Sequence, residues 1–109
     1  TPDGVRRARR RAEEGRASAK RNEPHKIVVY LHAAAGPDAD AQLEVERRRW
    51  RYESMADVGV GGDGRAVADG IRRWVEAGAD TVVLQPPVDD PEPERFVRFV
   101  AEQVRPLVP

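Results

Sequence analysis

The sequence predicts an α/β fold with two parallel strands and about four helices. Two apolar runs, IVVYL at 27–31 and TVVL at 81–84, are short and uninterrupted, as is typical of strands that helices cover on both faces. Helical periodicity follows each run, and this alternation indicates βαβ geometry. With 109 residues, the chain forms one domain at most.

The N-terminal part predicts a polar helix and then the first strand. Thr1 and Pro2 suit a helix start, because Thr caps free N–H groups and Pro tolerates the first helical position. The helix is expected to reach about Lys20 and to pack shallowly, since it has few apolar positions. Pro24 then breaks it, and a strand is predicted over 26–33.

The remaining elements are marked by caps and by apolar spacing. Asp63 is the expected N-cap of the third helix, and Gly78 occupies the usual C-cap position. In chain order we predict a helix over 37–52, an irregular loop over 53–64, a helix over 64–77, a strand over 80–85 and a final helix over 92–107.

Composition excludes several classes of function. The chain has 19 basic and 19 acidic residues, so its total charge attracts neither nucleic acid nor anionic lipid. It has no cysteine, which excludes disulfides and thiolate sites and favours the reducing cytoplasm. Its apolar runs are too short to predict a transmembrane helix or a signal peptide.

Two stretches carry a resemblance to a known family. The C-terminal half reads GGDGRAVADGIRRWVEAGADTVVLQP and then PERFVRFVAEQVRPLV, which resemble the last helix–strand–helix unit of luciferase-like flavin-dependent monooxygenases. The upstream stretch, TPDGVRRARRRAEEGRASAKRNEPHKIVVYLHAA, resembles the preceding helix and seventh strand of the same barrel. The resemblance therefore implies that 1–109 is the C-terminal fragment of a (β/α)8 TIM-type barrel, which in full needs about 250 residues.

The same resemblance implies the chemistry of a larger parent protein. Its cofactor would be FMN or a deazaflavin, and its reaction either that of reduced flavin with oxygen or hydride transfer from reduced deazaflavin. Most cofactor and substrate contacts of the family would precede Thr1. The chain alone is therefore expected to bind no cofactor and to be inactive.

Residues near the carboxyl ends of the strands are candidates for the site, because barrel enzymes place functional groups there. His32 and Gln85 occupy matching strand ends, and we expect them to contact the cofactor in the intact barrel. Trp50, Tyr52 and Met55 are candidates for lining a substrate pocket, since aromatic and thioether groups suit apolar ligands. Three of them have a structural alternative: His32 is satisfied by hydrogen bonds or solvated, Gln85 bonds to backbone at the strand exit, and Trp50 packs its helix on the sheet.

A literal G-x-G-x-x-G at 59–64 precedes a predicted helix, with Asp80 further on, as in a dinucleotide site. No strand is predicted before Gly59, and Asp80 lies before its strand, whereas a ribose-binding acid lies after one. We therefore interpret 59–64 as a loop that leads into a capped helix. A weak anion site at the helix N-terminus is the alternative.

Hydrolytic and metal chemistry are disfavoured. His25 and His32 would lie about 23 Å apart along an extended strand and cannot share a metal ion. The two serines, Ser18 and Ser54, have unrelated surroundings, so no Ser-His-Asp triad is credible. We assign no catalytic and no metal-binding residue.

Three functions remain open. The first is the C-terminal portion of a flavin- or deazaflavin-dependent oxidoreductase. The second is a non-catalytic module that self-associates, because two parallel strands leave outer edges that missing barrel strands or another copy must cover. The third is nucleic-acid binding by the basic N-terminal helix, which its lack of aromatic residues and the neutral total charge disfavour.

Overall fold

The computed structural model describes residues 1–56 and 58–109 and shows an α/β fold with a parallel sheet. The strands in these residues are β1 (Val28–Ala35), β2 (Gly59–Gly62) and β3 (Thr81–Gln85). The helices are α1 (Pro2–Ser18), α2 (Ala39–Trp50), α3 (Gly64–Glu76) and α4 (Pro93–Phe99). A π-helical turn, Val100–Val104, and a 3-10 turn, Arg105–Leu107, continue α4.

The sheet has the strand order β2-β1-β3, and both pairings are parallel. The two strands predicted from the sequence are direct neighbours, with Val28 opposite Thr81 and His32 opposite Gln85. The prediction of only two strands was wrong, because the predicted loop at 53–64 contains β2. This strand pairs with His32–Ala35, the carboxyl half of β1.

Close packing explains why β2 was missed. Three of its four residues are glycines, which are depleted in strands and give no apolar pattern. A Cβ at Gly59 would lie 2.9 Å from the Met55 methyl carbon, and one at Gly61 would lie 2.8 Å from a Leu43 methyl carbon. Glycine therefore lets α2 approach this strand closely. Because glycines are also typical of loops, the sequence pattern predicted a loop here.

Helices cover the two faces of the sheet unequally. On one face α3 and α4 form the main core, in which Leu31 is fully buried with Val67 and Phe96. On the other face α2 covers only the carboxyl half, through a small cluster around Leu43. The amino half of that face stays open, and Tyr30 is 63% exposed there.

The predicted helix caps are confirmed. The Thr1 hydroxyl accepts a 2.9 Å hydrogen bond from the Gly4 N–H, and the Asp63 carboxylate accepts one of 2.8 Å from the Ala66 N–H. Gly78 has a φ of 113°, a conformation that glycine adopts without strain after a helix. In α1 only Val5 is buried, so its packing is shallow, as expected. None of the described helices is both long and apolar enough to cross a bilayer.

Candidate functional site

His32 and Gln85 lie side by side on the open face of the sheet. They are partners in the β1–β3 register, and paired residues of neighbouring strands point to the same face. Gln85 is the last residue of β3 and is exposed. His32 lies inside its strand and not at the end as predicted, because β1 continues through three alanines to Ala35.

Two aromatic residues flank the His32 ring. The ring centroids of His32 and Trp50 are 6.2 Å apart, and those of His32 and Tyr52 are 5.7 Å apart in an edge-on arrangement. The His32 Nε2 atom lies 3.5 Å from the Tyr52 hydroxyl oxygen. The side chain of His32 is consequently only 13% exposed.

Glu46 lies behind His32 and is the only buried charged residue among those described, at 1% exposure. Its Oε2 accepts a 2.9 Å hydrogen bond from the Trp50 indole N–H, and its Oε1 accepts one of 3.2 Å from the Val88 backbone N–H. The same Oε2 is 3.9 Å from Nδ1 of His32. A carboxylate is thus held against the imidazole from α2.

The three predicted substrate residues do not share one pocket. Tyr52 lines the cleft next to His32, whereas Met55 packs with Ala34 and Leu43 beneath α2. Trp50 is 52% exposed and does not line that cleft, but its ring lies against His32 of β1, as in the alternative that it packs α2 on the sheet. The inward face of α2 consists of Ala39, Leu43 and Glu46.

An open cleft of about 430 Å³, the edge cleft, runs along β1 and is lined by both His32 and Gln85. Its walls include Val5 and Ala8 of α1, Tyr30 and His32 of β1, Tyr52, and Gln85. Since β2 pairs only with the carboxyl half of β1, no described strand pairs with Val28–Leu31 on that side. The edge cleft therefore exposes Gln85 and an unpaired strand edge, and the mostly buried His32 ring forms part of its wall.

A second cleft, of about 1150 Å³ and named here the acidic cleft, opens beyond the carboxyl ends of the strands. Helix α2 leaves β1 toward one face and α4 leaves β3 toward the other, which creates a crevice at the place where α/β sheets commonly bind ligands. Its charged lining residues in the described chain are Asp38, Asp63, Asp90, Glu92, Glu94, Glu102, Arg95 and Arg98. Carboxylates outnumber guanidinium groups, so this cleft disfavours phosphate groups.

The G-x-G-x-x-G segment is explained by packing. No described strand leads into Gly59, as expected, but the interpretation of 59–64 as a loop was wrong, because Gly59–Gly62 form strand β2. In a dinucleotide site these glycines would follow the strand and approach a phosphate. Here a Cβ on Gly64, the first residue of α3, would overlap the Gln103 carbonyl, so the chain itself occupies that space. Asp80 bonds to the Ile27 backbone N–H and is structural.

Sequence reasoning missed Tyr30 and did not recognise Glu46 as part of the site. Glu46 follows Leu43 by three residues, so it belongs to the inward stripe of α2. A glutamate in such a stripe signals a buried carboxylate with nearby donors. Trp50, four residues further on, is one of these donors. Tyr30 gave no comparable signal, because its exposure depends on how far α2 extends over the sheet.

Within residues 1–56 and 58–109, no cluster of three or more potential ligands could hold a metal ion. His25 lies before β1, away from the His32 cluster. In comparison with known proteins, the chain matches no protein-family model and no solved structure.

Proposed function

We propose that this chain is the C-terminal portion of a flavin- or deazaflavin-dependent, luciferase-like oxidoreductase, and that it is inactive alone. The observation that carries the proposal is the paired placement of His32 and Gln85 on the open face of a parallel sheet. Together with Tyr52 they offer hydrogen-bonding groups beside an apolar wall, which suits a planar heterocycle with a polar edge. The sequence resemblance supplies the choice of flavin.

The proposal is compatible with the sheet in one respect and requires a change in another. Strands seven and eight of a barrel are neighbours, as β1 and β3 are. Strand six would lie on the other side of β1, where β2 lies in this structure. We therefore expect β2 to leave β1 in the parent protein. The flavin phosphate is expected to bind upstream residues, since the acidic cleft would repel it.

A flavin titration tests the proposal. A reading frame that includes the segment upstream of Thr1 should quench FMN or deazaflavin fluorescence, while the 109-residue chain should not. In the longer protein, His32→Ala and Gln85→Ala should each weaken binding by about tenfold, as expected when a buried polar contact is lost. Gln42→Ala, which changes a glutamine in the acidic cleft, is the matched control. Unchanged binding in both site variants would refute the proposal.

A second candidate function is self-association of a non-catalytic module. It is favoured by the unpaired edge at Val28–Leu31 and by the exposed side chains of Val28 and Tyr30 beside it. The His32 N–H bonds to the Val58 carbonyl on the β2 side, so the Tyr30 N–H, two residues earlier, points to the same, open side. Such an edge pairs readily with a strand of another copy.

Light scattering distinguishes this candidate. A dimer that becomes monomeric in Tyr30→Lys would support pairing through the β1 edge, because a charged residue on an edge opposes strand addition. Val97→Lys changes an equally exposed residue on α4 and should leave the dimer intact. A monomeric wild-type chain at high concentration would exclude self-association.

A further inference from the structure

The buried carboxylate of Glu46 requires an explanation beyond packing. Moving an ionised carboxylate out of water costs several kcal/mol unless donors and charges compensate it. An apolar residue at this inward position of α2 would avoid that cost, since Leu43 fills a comparable position one turn earlier. Glu46 is also more deeply buried than its two partners on α2, Trp50, which donates a hydrogen bond to it, and Arg49, which forms an ion pair with it.

The contacts of Glu46 are divided between its two oxygens. Oε1 faces the Val88 N–H and, at 3.6 Å, the Arg49 guanidinium. Oε2 faces the Trp50 N–H and the His32 ring. The backbone, indole and guanidinium groups can only donate, so Glu46 is an acceptor toward these three. Arg49 is itself paired with Asp89, which reduces its ability to neutralise the carboxylate.

This arrangement constrains the two nitrogens of His32 differently. Nδ1 faces Oε2 of Glu46 at 3.9 Å, where a ring lone pair would be repelled and an N–H dipole attracted. Nε2 faces the Tyr52 hydroxyl at 3.5 Å, a group that can donate or accept. In neutral imidazole one nitrogen carries the proton, and its neighbour decides which. The carboxylate is the stronger of the two neighbours.

We propose that Glu46 is a positioning residue that holds neutral His32 with its proton on Nδ1, so that Nε2 is a hydrogen-bond acceptor toward Tyr52 and the edge cleft. The inference deepens the proposed function and rests on it for the identity of the ligand. An acceptor at Nε2 determines which ligand groups can bind beside His32. A ligand N–H or O–H can donate a hydrogen bond to it, whereas a carbonyl oxygen would be repelled. Gln85 beside it can either donate or accept.

Nitrogen-15 NMR of the histidine rings tests this inference without any flavin, so its failure is distinguishable from failure of the cofactor proposal. At alkaline pH, where the rings are neutral, the shifts of the two ring nitrogens report which one is protonated. Wild-type His32 is expected to carry its proton on Nδ1. Glu46→Met keeps the side-chain volume and removes the charge, and it should change the tautomer ratio about tenfold toward Nε2–H.

The chain offers two controls. Glu92→Met removes an exposed carboxylate before α4 that pairs with Arg95 and should leave the His32 ratio unchanged. His25 is an internal reference, since it should not respond to either variant. If Glu46→Met does not fold, Glu46→Gln can be used in its place, because glutamine retains an oxygen for the Trp50 N–H. The tautomer ratio of His32 is expected to change in the same direction. A wild-type His32 protonated on Nε2, or a ratio insensitive to loss of the Glu46 charge, would overturn the inference.

Discussion

The carboxylate of Asp80 accepts a 2.8 Å hydrogen bond from the backbone N–H of Ile27 and so joins the start of β3 to the start of β1. Arg9 of α1 reaches the same carboxylate at 3.5 Å. The hydrogen bond from Ile27 is the main cause that lowers the pKa of Asp80, and the charges of Arg9 and Lys26 lower it further. Three elements therefore meet at one ionised side chain.

This relationship predicts a pH-dependent loss of stability. The pKa of Asp80 is lower in the folded chain than the value of about 3.9 in an unfolded one, so its contribution is complete above about pH 4 and is lost as the pH falls through the folded pKa. We expect Asp80→Ala to lower the free energy of unfolding at neutral pH, and this deficit to shrink on acidification. Urea unfolding across a pH series measures it.

The variant Asp80→Asn serves as the control for that experiment. Asparagine keeps an oxygen that can accept from the Ile27 N–H but does not titrate. Its difference from Asp80→Ala should therefore be the same at every pH. A deficit of Asp80→Ala relative to wild type that did not change with pH would contradict the assigned role.

The glycine at the start of α3 gives a second prediction. A Cβ at Gly64 would overlap the Gln103 carbonyl, and a backbone atom cannot turn away as a side chain can. We expect Gly64→Ala to lower the free energy of unfolding by about 1–3 kcal/mol. Gly15→Ala, in α1 with no atom within 4 Å of the new Cβ, should raise it by about 0.5–1 kcal/mol. If both variants had the same sign, packing would not explain Gly64.

The main core predicts a third outcome. Leu31 is completely buried in the central strand, between α3 and α4 on one side and β3 along its edge. Leu31→Ala should lower the free energy of unfolding by about 2–5 kcal/mol, through lost burial and the remaining cavity. Val97→Ala, at a site that is 65% exposed on α4, should change it by less than about 0.5 kcal/mol. If both variants lowered the free energy of unfolding by similar amounts, Leu31 would not belong to the main core.

Features that depend on residues close together in sequence could be predicted, and features that depend on distant contacts could not. Thr1, Asp63 and Gly78 were identified because a cap depends on residues within one helical turn. Strand β2 was missed because its glycines are selected by α2, which packs against them from earlier in the chain. The parallel arrangement was enough to place His32 and Gln85 at corresponding positions of the two strands, whereas their register and the role of Glu46 depend on contacts distant in sequence, such as the Val88 N–H from the β3–α4 loop.

A fourth prediction concerns Glu44, next to the site on α2. Its pKa is lowered from 4.5 to about 2, chiefly by the side-chain hydrogen bonds from Arg47 at 2.8 and 2.9 Å, and less by Arg48. NMR titration of the side-chain carboxyl should show this low midpoint in wild type and a rise toward 4.5 in Arg47→Met. Arg48→Met should produce a smaller rise, because Arg48 makes one contact where Arg47 makes two.

A large change in the pKa of Glu44 does not imply a large change in the free energy of unfolding. Glu44 and Arg48 are solvent-exposed, and ion pairs of this kind add little to the free energy of unfolding. Arg47 also donates a 2.9 Å hydrogen bond to the Tyr52 carbonyl, which helps to fix the chain where it leaves α2. Arg47→Met is therefore expected to disturb the His32–Tyr52 contact as well, whereas Arg48→Met should leave it intact. Equal rises of the Glu44 midpoint in both variants would show that Arg47 has no special place in this network.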